Sequence, residues 1–356
     1  RRRRIWRWLK WTAIAITAQR IRGIDRVILA ILGLFALIAV VAYDQLWSSV
    51  VFTSNAMLSI LPFLTASVVI AGAAKATSLD GQIARVFKGH PVKAIVLASA
   101  FGATAPFCSC GVIPVVAALL AAGVPLAPVM AFWLSSPLMS PSMFLLMMSV
   151  MGPEFTLIKL VAAVGMGLIG GFATHVIVRR GGFSDPLRAM TSCCGSSCGA
   201  SANTVLAEKP VVMEFWKDAD RREAFLSTSR ESAWFLFRWM TLAFLVESLM
   251  VAYIPAEVIG QSLGGESWWA IPASVLIGMP AYLNGFAAIP TVSAMLDMGM
   301  LPGAALGFML AGGVSSIPAA MGVYALVNRQ VFAVYILLGM VGSLVLSYAL
   351  QPFLLG

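Results

Sequence analysis

Ala105-Pro106-Phe107-Cys108-Ser109-Cys110-Gly111-Val112-Ile113-Pro114 sets two thiols, two prolines and a glycine inside a long, uncharged apolar run. No helix passes through such a stretch unbroken. In a bilayer each unpaired backbone N–H or C=O costs several kcal/mol, so an interrupted helix persists only where protein encloses it or it lines a polar cavity. The stretch is therefore both the break around which the fold is organised and the first candidate for a binding site.

Its surroundings are those of a membrane protein. Hydrophobic residues make up 60% of the chain, charged residues 11%, and mean hydropathy is +0.91, which excludes a soluble domain. The net charge of +9 gathers in the N-terminal arm and in two polar connections, as positive-inside loops do, and does not call for nucleic acid. The cysteines fall in two groups, Cys108 with Cys110 and Cys193, Cys194 with Cys198, which is no disulfide framework.

Residues 1–26 form a basic, Trp-rich arm whose apolar piece, Thr12 to Ala18, is too short to span, so it is expected at the cytoplasmic headgroups. Residues 27–178 read as a first transmembrane half. Val27 to Tyr43 runs outward, and Ala56 to Ala74 returns with a kink at Pro62 to a basic connection holding Lys75, Arg85, Lys88 and Lys93. Three apolar blocks follow, 94–122, 124–151 and 155–178. Residues 179–230 read as a cytoplasmic loop with the second Cys cluster, and 231–356 as a second half, with Ser232 to Tyr253 spanning outward before blocks 269–297, 302–327 and 331–350. Both ends of the first triplet lie on the cytoplasmic side, so one block is re-entrant: the first, as two half-helices tipped by Phe107-Cys108-Ser109-Cys110.

The two triplets look like copies. Sliding the chain by 176 residues superposes Gly102 on Gly278, Ile113 on Ile289, Pro114 on Pro290, Gly123 on Gly299, Phe132 on Phe308 and Leu134 on Leu310. Ser135-Ser136-Pro137 is answered by Ser315-Ser316-Ile317-Pro318, and Asn284-Gly285-Phe286 falls on Cys108-Ser109-Cys110. One copy starts inside and the other outside, so the fold expected is all-α: a polytopic integral membrane protein with two inverted-topology repeats, broken helices and re-entrant hairpins, crossing about seven times. Folds of this kind hold substrate near the midplane between broken helices of both halves.

Pro-Phe-Cys-Ser-Cys followed by Pro114, the later Ser-Ser-Pro and the Asn-Gly of the second half resemble the YraQ-like permeases, whose best-known members are organoarsenical efflux permeases. The resemblance covers roughly residues 25 to 350. Where that family usually has a hydroxyl residue before the motif's proline this chain has Ala105, and Gly111 stands where serine is frequent. The resemblance implies a permease and adds trivalent organoarsenicals, or small sulfur species such as a persulfide of a low-molecular-weight thiol, as candidate solutes. The expected location is the bacterial inner (plasma) membrane, with the N-terminus cytoplasmic and Gly356 outside.

The residues support a sulfur-directed site on their own terms. A half-helix beginning near Cys110 aims its free N–H groups at the tip, favouring thiolate, the form that binds soft centres and exchanges with sulfur compounds. The substrate-binding set is Cys108, Ser109, Cys110, Gly111, Ser135, Ser136, Asn284, Gly285, Ser315 and Ser316. The plainer reading makes the cysteines small packing residues and the serines hydrogen-bond partners for backbone groups freed at the breaks. Glu247 is the coupling candidate, unless it sits at the outer headgroups or pairs with Arg238. Cys193, Cys194 and Cys198 make a metal or metalloid clamp, or incidental thiols of a solvated loop, with no His nearby. Met139, Met143, Met147 and Met148 read as packing.

No enzyme motif is evident: His90 and His175 lie on different spans and there is no nucleotide-binding loop. The partners expected are a small solute and the lipid bilayer, with no cofactor. A channel, and a membrane thiol-disulfide oxidoreductase, are the competing classes.

Overall fold

The computed structural model describes residues 26–77, 90–105, 111–121, 123–182, 215–253, 269–281 and 285–354. Among these the chain forms thirteen α-helices and no strand. They are α1 (Arg26–Val41), α2 (Tyr43–Thr77), α3 (Pro91–Thr104), α4 (Val112–Ala121), α5 (Leu126–Ser135), α6 (Pro141–Val150), α7 (Pro153–Arg179), α8 (Ala219–Tyr253), α9 (Ala270–Ala281), α10 (Gly285–Asp297), α11 (Pro302–Ser315), α12 (Ile317–Leu326) and α13 (Arg329–Leu354). Proline opens α3, α6, α7 and α11 at the position where its missing N–H is not needed.

Helix boundaries recur at the sequence's own spacing. α2 and α8 start at 43 and 219 and end at 77 and 253; α5 and α11 start at 126 and 302, α6 and α12 at 141 and 317, α7 and α13 at 153 and 329, each pair 176 apart. Even the caps match. Gly123 and Gly299 adopt φ of 80° and 94°, open to glycine at no steric cost, and end α4 and α10 with the same bond pair. In the first, Gly123 N–H donates to Leu120 and Val124 N–H to Leu119; in the second, Gly299 donates to Leu296 and Met300 to Met295, all at 2.9–3.0 Å.

Equivalent helices pack against each other antiparallel. On α7 and α13, Gly165 lies against Leu346, and Gly342 against Met166 and Ile169. On α2 and α8, Gly72 lies against Phe225 and Ser229, while Arg221 Nη1 donates to the Ala76 carbonyl at 2.9 Å. Helices exchanged by the repeat yet running in opposite directions require a two-fold axis perpendicular to them, which is the inverted-topology arrangement.

The re-entrant hairpin follows from helix directions. Gly171 on α7 meets Ile95 of α3 and Ala131 of α5, and Gly167 meets Ser99 and Ala131. Farther along, Gly102 meets Phe132 and Ser135. α3 and α5 therefore run parallel to each other and antiparallel to α7, so α4 must bring the chain back between them. The second half repeats this, with Gly278 on Phe308, and Gly307 on Val275, Ser274 and Ser347.

Among the described residues three segments are long and apolar enough to cross a membrane: α7, α11 with α12 (Pro302–Leu326), and α13. A fourth is α2, whose pieces Tyr43–Pro62 and Leu64–Ile70 meet at 42°, the kink expected at Pro62. Helices α3 to α6 and α9, apolar and 10–14 residues long, are the half-length pieces of a broken-helix fold.

Two boundaries differ from those read in the sequence. α2 starts at Tyr43, so a single residue, Ala42, joins it to α1, and Asp44 sits in its first turn where the helix dipole favours an acid. α8 starts at Ala219, inside the stretch read as polar loop. Asp218 caps it by accepting from Asp220 N–H at 3.1 Å and pairs with Arg221 at 3.6 Å, whose bond to α2 ties the start of α8 to its neighbour.

Candidate functional site

The two mid-span breaks meet on the axis. α5 and α6 are separated at 136–140, α11 and α12 at Ser316, and Gly313 beside the second break packs on Leu138 and Pro137 of the first. A Cβ at Gly313 would lie 2.9 Å from Leu138 Cδ2 and 3.4 Å from the Pro137 carbonyl oxygen. Gly313 and Pro137 are themselves repeat equivalents, so the fold's symmetry centre passes between the breaks.

The hairpin's described flanks reach the same region. Ala105, 2% exposed, is three residues past Gly102, whose neighbour is Ser135. On the returning side Gly111 and Val112 are buried, and Ile113 touches Gly322 on α12. Met240 of α8 approaches Gly322 as well. Elements of both halves thus surround the ends of the hairpin. Cys108, Ser109, Cys110 and Asn284 lie outside the described residues, as do the N-terminal arm and the loop cysteines Cys193, Cys194 and Cys198. Gly285 begins α10.

The serines divide. Ser135 Oγ donates to the Ala131 carbonyl at 2.9 Å and Ser315 Oγ to that of Ala311, so both close onto their own helices before a break. Ser136 is fully buried, and its Oγ has no hydrogen-bond partner among the described residues. A buried hydroxyl left unpaired costs roughly 1–3 kcal/mol, and a polar ligand at the break would recover it. Ser316 is buried at the N-cap of α12.

Glu247 is 5% exposed, and its Oε2 lacks a hydrogen-bond partner among the described residues. It follows Met240 by seven residues, two helical turns, so both share one face of α8 with a spacing of about 10 Å. Arg238 instead donates Nε to the Trp234 carbonyl at 3.3 Å and lies 5.8 Å from that residue's ring.

One residue escaped the sequence reading. Lys159 is fully buried in the second turn of α7, and the signal was present as a lone base within an apolar block. Met139, Met143 and Met147 are buried as packing residues, yet the sulfurs of the last two face the Lys159 amine.

Over 85 residues, 24% of this chain, the sequence is 31% identical to the UPF0718 protein YcgR of Bacillus subtilis (strain 168), a match spanning 29% of that protein's length. No solved structure matches the chain. The family model described as "Predicted permease" matches residues 45–352, nearly all of the helical bundle, and the chain belongs to that family, ArsP_1.

Proposed function

We propose that this permease carries a small thiol-reactive or thiol-bearing solute by alternating access, through a midplane site at the hairpin tip. Cys108 and Cys110 are the soft ligands, with Ser109 and Gly111 beside them and Asn284 and Gly285 opposite. Ser136 supplies a hydroxyl at the break, and Ser135, Ser315 and Ser316 line it. The observation that carries the reading is the packing of Gly313 on Pro137 and Leu138, which brings the breaks of both halves together on the axis. Broken helices meeting at a pseudo-two-fold are where inverted-repeat transporters hold substrate.

Trivalent organoarsenicals and low-molecular-weight persulfides are the solute classes that match two closely spaced thiols. An uptake screen in inverted vesicles with labelled thiols, persulfides and trivalent arsenicals tests this. Saturable accumulation of one class supports the carrier. Unsaturable flux indicates a channel, and disulfide turnover without net solute movement an oxidoreductase.

Orientation in the inner membrane follows from the basic loops: N-terminus and residues 179–230 in the cytoplasm, Gly356 outside. A C-terminal reporter that is active only in the cytoplasm is expected to stay silent, and activity there contradicts the orientation.

Glu247 is the coupling group of this reading. Its buried carboxyl oxygen, unpartnered among the described residues, lies two turns from Met240, which approaches α12. Glu247→Gln is expected to remove the pH dependence of transport while leaving solute binding within about threefold, the scale of about 0.7 kcal/mol. A pH profile identical to the parent's assigns Glu247 a structural role.

A further inference from the structure

Lys159 lies close enough to an end of α7 for its long stem to reach the headgroup region, which is where such lysines ordinarily put their charge. Instead it points inward. Its Nζ is 3.5 Å from Met147 Sδ and 3.9 Å from Met143 Sδ, both within hydrogen-bonding reach, and all three residues are at most 4% exposed. The helices packed on α7 are α3, α5, α6, α11 and α13. Their titratable residues are Lys93 on α3 and Arg329, Tyr335 and Tyr348 on α13; on α7 itself are Glu154, in the exposed first turn, His175 and Arg179. No carboxylate pairs with the amine among the described residues.

The second repeat supplies an internal control. A shift of 176 carries Lys159 to Tyr335, Met143 to Ala319 and Met147 to Val323. Those three residues are also buried, and Tyr335 O–H donates to the Val314 carbonyl at 2.8 Å with its ring 5.2 Å from Trp133. The same place in the fold is thus filled with neither sulfur nor amine. All three donor side chains occur together in one copy and are all missing from the other, which packing alone does not require.

We propose that Lys159, Met143 and Met147 form a binding site for a monovalent soft cation, Cu(I) or its analogue Ag(I). Thioethers select such ions over the hard and borderline metals. Zinc's bond lengths, near 2.0 Å to nitrogen and near 2.3 Å to sulfur, set nitrogen and sulfur about 3.7 Å apart in a trigonal centre, and the larger Ag(I) sets them somewhat farther apart. The observed separations of 3.5 and 3.9 Å bracket the zinc value. The charge also balances. The ammonium releases one proton to solvent, its nitrogen lone pair forms the bond to the ion, and the buried site holds a single positive charge before and after. The site exchanges one soft cation for one proton, is separate from the hairpin tip, and does not rest on the tip's role in transport.

The test uses the full chain with its five cysteines replaced by serine, so that no thiolate competes, purified in detergent and titrated with Ag(I). One tightly held ion per chain is expected, with release of about one proton. Met143→Leu with Met147→Leu, nearly volume-conserving, is expected to weaken that binding at least tenfold with an unchanged melting temperature. Lys159→Met, which substitutes a third thioether, is expected to keep the ion but bind it without proton release. Equal affinity in the double leucine variant, binding without proton release in the parent, or no bound ion in the folded parent each overturns the proposal.

Discussion

Cys108→Ser is expected to lower transport of a thiol-reactive solute by about tenfold or more, with expression and thermal unfolding nearly unchanged. The scale is that of removing one good polar or soft ligand from a desolvated site, about 1.4 kcal/mol. Serine keeps the size of the side chain and removes its sulfur, so a residue acting by ligation loses activity and one acting by packing does not. Cys110→Ser should show the same pattern, because the flanks of the tip, Ala105 and Gly111, are both buried where the halves meet. The measurement is initial uptake rate in proteoliposomes against solute concentration. Normal rates in both serine variants, or loss of folded protein in place of loss of rate, return the cysteines to a packing role.

Gly102→Ala and Gly278→Ala are expected to destabilise the protein by similar amounts, on the order of 1–3 kcal/mol each, the range for overpacking. A Cβ at Gly102 would stand 2.9 Å from the Phe132 carbonyl oxygen, and one at Gly278 2.7 Å from that of Phe308. Both obstacles are backbone and cannot rotate away, so α3 must separate from α5, and α9 from α11. Gly33→Ala is the control, because no atom lies within 4 Å of its Cβ position. Thermal unfolding in detergent reads all three. A fall for both members of the pair with Gly33→Ala unaffected supports the repeat packing, and a neutral result at either position contradicts it.

The punctuation of the sequence carried most of the fold. Gly102 with Gly278 and Gly123 with Gly299 are visible as matched letters, and they matter because each sits where the chain tolerates no Cβ or adopts positive φ. The broken blocks were legible because proline lacks the N–H that a helix interior needs, so it opens α3, α6, α7 and α11 and kinks α2 at Pro62. The start of α8 was not legible, since Ala219–Arg230 is polar and is held as helix by a cap at Asp218 and by the bond from Arg221 to α2. Within the candidate site, hydroxyls that look alike in sequence proved different: Ser135 and Ser315 bond to their own helices, while Ser136 does not. Lys159 was hidden for a similar reason. Its meaning depends on the turn at Met151 and Gly152, which folds α7 back on α6 and brings two sulfurs to one nitrogen.

The central claim is that the hairpin tip faces a solute cavity open to one side of the membrane at a time. Its most direct test is alkylation of a protein in which Cys108 is the single remaining cysteine, reconstituted in vesicles and treated with a membrane-impermeant thiol reagent. The account predicts labelling of the folded protein that a transported solute suppresses, together with full labelling after denaturation. A Cys108 that stays unreactive in the folded protein from either side, or that reacts at the same rate with and without solute, contradicts it.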